Sequence, residues 1–371
     1  MTATDRQGSE VALDGGIATA IHEADLCHLL VRADGDAVAA AATLAVACDA
    51  AGTPYHMGTV RTRAELHARL DVADPDATTV VLGAETPDAR ALAGPPISGD
   101  AFDAAVELGG SPDPALALAG VVAAGFDPAE AVPSLLDRAG AEPTAGVAVP
   151  TADLADGLAH TTLVHAAFSG DREGVADELG GLGDDPDPRR VASLLAFATA
   201  GPDAASERAA TAVERAIRPY RIPGPVETIG GYADVLAALA RRSPGLAVAL
   251  GMTGDGREAA LSAWRERAVR AHAAVRAADT ARYDGLFVAR VDGPPAPVAR
   301  LLRDFRSPEP VVLAVDDGEA AIAAVDAPVA DAVETAAEAA GGSGLGADIR
   351  GYARFDPDRT DAFVDAVRGA L

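Results

Sequence analysis

Short apolar segments alternate with longer helix-forming segments over the first ninety residues. Residues 26–31, 54–60 and 78–84 are apolar runs of strand length. The intervening segments 37–52 and 62–72 are rich in alanine and other helix formers. Strands and helices that alternate in this way predict a parallel sheet with helices on both faces.

The pattern changes to helices and loops in the middle of the chain and returns to alternating strands and helices near the end. Residues 255–282 can form one long helix, with Asp255 as its N-cap. From residue 283 onward the pattern predicts strand, helix, β-hairpin, helix, strand and closing helix. The predicted fold class is therefore α/β, with a parallel-sheet domain at 1–140, a helical connecting region at 141–278 and a smaller α/β domain with a glycine-rich loop at 279–371.

Composition predicts the solvent in which this chain works. The 371 residues carry 30 basic and 56 acidic side chains, which gives a net charge of −26. Lysine and asparagine are absent and Gln7 is the single glutamine, as expected of a GC-rich genome. Near-molar salt shortens the Debye length to about 3 Å, so that such an acidic surface is tolerated. These features predict a haloarchaeal cytoplasmic protein.

The same salt weakens nucleic-acid binding that depends on counterion release, so the missing basic stretch does not exclude DNA as a ligand. Cys27 and Cys48 do not form a CxxC pair and are expected to be buried thiols. The polar start of the chain does not resemble a signal peptide. Apolar runs end well before the roughly 18 residues of a membrane helix, so no membrane association is expected.

Two carboxylates follow the first predicted strand. Asp34 and Asp36 lie at its carboxyl end, where open parallel sheets bind ligands. Carboxylates placed in this way can converge on divalent cations. Asp-Gly-Asp is also an ordinary turn and helix cap, so the local pattern leaves both interpretations open.

The segment Arg32-Ala33-Asp34-Gly35-Asp36-Ala37 resembles motif one of the DHH phosphoesterase superfamily, in which a strand leads into His-x-Asp-x-Asp-Gly and a helix of small residues. Both aspartates are kept, and the chain looks most like a RecJ-like member. Arg32 replaces the histidine, and a guanidinium offers only hydrogen-bond donors and cannot ligate a metal. Asp34 and Asp36 are therefore expected to be the remnant of a metal site.

A glycine-rich segment near the C-terminus resembles the loop of the DHH-associated C-terminal domain. Glycines permit close approach of backbone N–H groups to a phosphate. The resemblance implies nucleic-acid or phosphate binding by Gly341, Gly342, Ser343, Gly344 and Arg350. The loop's usual histidine is absent, and a helix stop followed by a flexible turn is the alternative interpretation.

The remaining metal ligands of the superfamily are not found. The third strand ends in Gly83 and Ala84, with Glu85 beyond, and no Asp-His-His run follows. Two-metal hydrolysis needs ligands that hold two cations about 3.5–4 Å apart. Glu85, Asp100 or His160 could supply a substitute ligand. We expect no dedicated cofactor, and manganese or magnesium only if the site is functional.

The resemblance implies a role in DNA replication or repair. The leading hypothesis is a nuclease-inactive RecJ-like protein that acts as a scaffold or guide for single-stranded DNA, with GINS or the replicative helicase as partners. The alternative is an active metal-dependent single-stranded DNA exonuclease or small-nucleotide phosphoesterase. An unrelated α/β binding module is a third hypothesis. Arginines beside Trp264 are either a nucleic-acid face or a solvated helix face: Arg265, Arg267, Arg270 and Arg276.

Overall fold

The computed structural model describes residues 16–183, 186–202, 205–222 and 224–371. The strands are β1 (Cys27–Arg32), β2 (Tyr55–Val60), β3 (Thr78–Leu82), β4 (Arg90–Leu92), β5 (Asp279–Tyr283), β6 (Leu286–Arg290), β7 (Val311–Asp316), β8 (Glu319–Ala324), β9 (Ser343–Ala347) and β10 (Arg350–Arg354). The helices of the first half are α1 (Ile17–His22), α2 (Gly35–Ala51), α3 (Arg63–Leu70), α4 (Ile97–Glu107), α5 (Pro114–Ala124), α6 (Pro128–Ala131), α7 (Pro133–Ala139), α8 (Leu154–His160) and α9 (Arg172–Gly180). Those of the second half are α10 (Pro188–Ala200), α11 (Ala209–Ile217), α12 (Ile229–Leu239), α13 (Pro244–Thr253), α14 (Arg257–Ala277), α15 (Pro295–Phe305), α16 (Ala330–Ala339) and α17 (Thr360–Ala370).

The N-terminal sheet is parallel throughout, with strand order β2-β1-β3-β4. One face, which includes Leu29 and Val31, packs on the alanine-rich helix α2 and its neighbours α4 and α5. The other face, which includes Leu30 and Val81, packs on Leu66 of α3. The predicted α/β fold with a parallel sheet is confirmed.

The second sheet has six strands in the order β5-β6-β7-β8-β10-β9. β6 and β7 are parallel and joined through α15, whereas the other pairs are antiparallel. The predicted hairpin of β7 and β8 is present. One face packs on α15 and the helical region, and the other on α16 and α17.

The long helix departs from the sequence prediction at both ends. α14 begins at Arg257 after Gly256, which has a left-handed φ of 75° and no side-chain cap, so the prediction of Asp255 as N-cap was wrong. The helix ends at Ala277, and the exposed strand β5 follows. β5 pairs only at one edge of the sheet, and its charged sequence resembles the surface of the preceding helix.

The two sheets are held together by direct contacts. Leu345 of β9 joins the apolar cluster on the outer face of the N-terminal sheet. Arg63 at the start of α3 donates two hydrogen bonds to Glu334 of α16, at 3.2 and 3.0 Å. These contacts close one side of a cleft between the sheets. None of the helices in the described residues is long and apolar enough to span a membrane.

Candidate functional site

The cleft between the two sheets forms a cavity of about 160 Å³. Its wall includes the carboxyl end of β1, the ends of helices α5 and α12, and strand β10. Among the described residues, the aspartates in the wall are Asp34 and Asp348. The arginines in the wall are Arg32, Arg61, Arg241, Arg267, Arg300 and Arg350. The cleft is therefore strongly positive in a chain with a net charge of −26.

Asp34 lies in the wall of the cleft as the N-cap of α2. Its carboxylate accepts a hydrogen bond from the backbone N–H of Ala37 at 3.1 Å. The guanidinium of Arg32 donates to the other carboxylate oxygen through Nε. A cationic side chain of this protein thus neutralises the carboxylate that the DHH motif would use as a metal ligand.

Asp36 is buried and faces a different partner. Its two carboxylate oxygens accept from the backbone N–H groups of Ile97 and Ser98, at 2.9 and 3.0 Å, which caps the N-terminus of α4. Burial, followed by the charge of Asp34, raises the pKa of Asp36 to about 6. Asp36 does not line the cleft. The two carboxylates predicted to be the remnant of a metal site therefore do not face the same cavity.

The substitute ligands also lie in separate surroundings. Glu85 is exposed beyond β3, and its backbone carbonyl accepts from Arg63 at 2.8 Å. Asp100 lies in the first turn of α4, and the Nδ1 of His160 lies 3.1 Å from a carboxylate oxygen of Asp156. In the described part of the chain, no group of three or more His, Cys, Asp or Glu side chains is arranged to hold a metal ion. These residues do not fit a two-metal centre.

Gly341 and Gly342 form a turn, and the rest of the glycine-rich segment is strand β9 rather than the predicted loop. Gly341 follows the C-cap of α16 with a φ of 77°, and β9 begins at Ser343, whose hydroxyl accepts from the backbone N–H of Ala64 at 3.0 Å. A Cβ on Gly344 would lie 2.9 Å from the carbonyl oxygen of Val333 in α16. The small residues therefore allow close packing of helix on strand. Of the five residues predicted to bind phosphate, Arg350 lines the cleft; binding by Gly341, Gly342, Ser343 and Gly344 stays a prediction.

The arginines of the wall are oriented by backbone carbonyls. Arg350 donates to the carbonyl of Ala123 at 2.7 Å, in the last turn of α5. Arg267 donates to the carbonyl of Ala238 at 3.2 Å, in the last turn of α12. Helix C-termini carry partial negative charge and attract cations, which explains these positions. Arg267 was one of the four arginines singled out on α14, whereas Arg265 pairs with Asp156 and Arg276 donates to Ser169.

Sequence reasoning did not identify Arg241 and Arg300 as members of the site. The guanidinium of Arg241 lies 3.8 Å from the ring centroid of Tyr352. Arg300 donates to the carbonyl of Thr162 at 2.6 Å. For Arg241, the sequence offers one signal, because two arginines follow the apolar segment of α12. The local sequence does not show which of the two faces a cleft.

A buried carboxylate fixes this side of the wall. Asp234 of α12 accepts from the backbone N–H of Thr162 at 2.8 Å and from the indole N–H of Trp264 at 2.9 Å. It also accepts from the hydroxyl of Thr161 at 3.2 Å. Because Thr162 in turn holds Arg300, Asp234 positions both an aromatic and a cationic part of the cleft.

This chain is similar to other proteins in sequence and in fold. The chain is 45% identical, over an alignment of 397 residues that covers 100% of both chains, to the uncharacterized protein rrnAC1427 of Haloarcula marismortui. Residues 278–369 match the family described as the C-terminal domain of uncharacterized protein rrnAC1427. CDC45 from Entamoeba histolytica has a TM-score of 0.54 at 9% identity, over 93% of this chain and 95% of that chain. RecJ from Thermus thermophilus in complex with Mg²⁺ has a TM-score of 0.47 at 15% identity, over 95% of this chain and 51% of that chain.

The similarity to CDC45 concerns the fold. Within that fold class, the identity over the whole length shows that the chain belongs to the rrnAC1427 family.

Proposed function

We propose that this protein is a RecJ-like protein of DNA replication or repair that does not hydrolyse DNA and acts as a scaffold or guide for single-stranded DNA. The observation that carries the proposal is the use of the two motif aspartates. Asp34 pairs with Arg32, and Asp36 caps α4. A hydrolytic metal centre needs both carboxylates free to approach the cations, and here each has another partner.

A role beside other proteins is consistent with the shared fold. The match to CDC45 extends over 93% of this chain and supports the proposal that GINS or the replicative helicase is a partner. The proposed location is the cytoplasm of a halophilic archaeon. Affinity capture of the tagged chain from a high-salt extract of its native cells should recover GINS or helicase subunits, and their absence under salt that preserves other complexes would argue against the scaffold role.

The hydrolysis test uses the purified full chain. Labelled single-stranded DNA is incubated with manganese in about 2 M KCl, a salt concentration that screens the acidic surface. We expect the DNA to remain intact, and titration calorimetry to show no tight manganese binding. Metal-dependent digestion that disappears in Asp34→Ala would overturn the proposal. Both aspartates cap a helix, Asp34 that of α2 and Asp36 that of α4, so circular dichroism must first show that Asp34→Ala is folded.

A further inference from the structure

Four arginines from four separate elements converge on the cleft. Arg241 follows α12, Arg267 belongs to α14, Arg300 to α15 and Arg350 to β10, and all four line the same cavity. The cavity, at about 160 Å³, is many times the roughly 10–15 Å³ that one water molecule requires. It therefore has room for a polyatomic group in contact with these side chains.

The contacts of these four arginines with the rest of the protein use only part of their hydrogen-bonding capacity. A guanidinium has five N–H donors, and Arg267 and Arg350 each donate one hydrogen bond to a helix carbonyl. Arg241 stacks on Tyr352, and among the described residues its buried Nη1 has no hydrogen-bond partner. The Nε of Arg350 is in the same situation. Capping of helices accounts for individual arginines but not for their convergence or for these two unpaired donors.

Carboxylates attract the four arginines only from beyond ion-pair distance. In the described ranges, none of the four forms an ion pair with an Asp or Glu within 4.0 Å, although twelve other arginines do. Burial, and then the charge of Arg241, lowers the pKa of Arg267 to about 9. Burial, followed by Arg303 and Arg300, lowers the pKa of Arg350 to about 9. Such a cluster is unfavourable until an anion shares it.

We propose that Arg241, Arg267, Arg300 and Arg350 form a binding site for a phosphate group, carried either by single-stranded nucleic acid or by a free nucleotide. The planar fork of arginine donors matches the oxygens of a phosphate, and several forks around one cavity suit a group with several acceptor oxygens. Arg32, held by Asp34, lines the same cavity and adds a fixed cation beside it. The choice of DNA as a ligand rests on the proposed function; the phosphate chemistry does not.

Enclosure makes this site suitable for concentrated salt. Exposed charges are screened over about 3 Å at 1 M salt, whereas buried or partly buried charges are screened much less. All four arginines are half-buried in the cleft wall. Binding should therefore decline much less between moderate and molar KCl than binding by surface lysines and arginines, which depends on counterion release.

The test measures binding of inorganic phosphate, ADP, adenosine and a labelled single-stranded DNA to the full chain by calorimetry and fluorescence anisotropy, in about 2 M KCl. The matched variants are Arg241→Met in the cleft and Arg242→Met on the exposed adjacent position. We expect at least one phosphate ligand to bind, adenosine not to bind, and Arg241→Met to weaken binding by about tenfold or more. Arg242→Met should change it less than about twofold.

The ligand arms identify the source of the phosphate. DNA binding that inorganic phosphate competes away assigns the site to nucleic acid, and binding of ADP without DNA assigns it to a free nucleotide. Adenosine binding as tightly as ADP, equal effects of the two variants, or no binding of any phosphate ligand would overturn the proposal. Should Arg241→Met fail to fold, as judged by circular dichroism, the comparison of ADP with adenosine on the unaltered chain decides. DNA cleavage, in contrast, would contradict only the proposed function and leave the phosphate site standing.

Discussion

At the scale of single residues, the same carboxylate can be a metal ligand or a structural cap, and its neighbours decide which. Asp36 keeps the motif position, but the backbone N–H groups of Ile97 and Ser98 occupy both of its oxygens. A charged acceptor at a helix N-terminus is favoured by the helix dipole, yet burial opposes its charge. The raised pKa of Asp36, about 6, shows that burial is the larger effect.

The capping role predicts the effect of removing this side chain. Asp36→Ala should lower the free energy of unfolding by about 1–2 kcal/mol, because two N–H groups of α4 lose their acceptor. The exposed Asp103 on the same helix provides the control, and Asp103→Ala should change stability by less than about 0.5 kcal/mol. Both are measured by denaturant unfolding at constant salt.

The pH dependence of the same variant has a definite sign. The pKa of Asp36 is higher in the folded chain than its ordinary 3.8, so the folded state binds this proton more tightly. The contribution of this proton to folding stability is complete below pH 3.8 and is lost as the pH rises through about 6. The loss caused by Asp36→Ala should therefore be larger at pH 4 than at pH 7, relative to Asp103→Ala. A loss that does not vary with pH would contradict the raised pKa of Asp36, and no loss at any pH would contradict its capping role.

At the scale of elements, the sequence pattern predicts the helices and strands that depend mainly on neighbouring residues. β1, α2 and the β7–β8 hairpin follow directly from apolar periodicity and turn residues. β4 has only three residues, and β5 is charged and exposed, so neither differs locally from a loop or a helix surface. Sequence patterns indicated Asp34, Arg267 and Arg350 of the cleft wall but not Arg241 and Arg300, because their convergence depends on helices distant in sequence.

The glycines of β9 show how an element can imitate a motif. A Cβ on Gly346 would lie 2.4 Å from the Cα of Ala330, so α16 can approach the strand only where a side chain is missing. Gly346→Ala should therefore lower the free energy of unfolding by about 1–3 kcal/mol through overpacking. A Cβ on Gly369 in α17 would meet no described atom within 4 Å outside the adjacent residues and the backbone of its own helix, so Gly369→Ala should instead raise this free energy by about 0.5–1 kcal/mol. Denaturant unfolding of both variants tests this prediction. Equal stability of Gly346→Ala and the unaltered chain would contradict it and show that α16 can move away from β9 at no cost.

At the scale of the whole molecule, a strongly negative net charge coexists with a positively charged cleft. The net charge is −26, yet the cleft wall holds six arginines and two aspartates. At low salt the acidic surface repels any polyanion before it reaches the cleft, and at molar salt this repulsion is screened within a few ångströms. Enclosed arginines retain their attraction under the same conditions. The distribution of charge therefore suits phosphate binding in concentrated salt better than in dilute buffer.

The acidic surface also predicts how the stability of the fold responds to salt. Self-repulsion of 56 acidic side chains opposes the compact state, and its range falls from about 10 Å at 0.1 M to about 3 Å at 1 M salt. Raising KCl from about 0.1 M to 2 M should therefore raise the thermal midpoint by about 5–10 °C, the equivalent of a few kcal/mol. Sucrose at equal osmolality strengthens burial without screening charge and is the control. An equal rise in sucrose would assign the effect to solute exclusion, whereas a rise confined to KCl would assign it to the acidic surface.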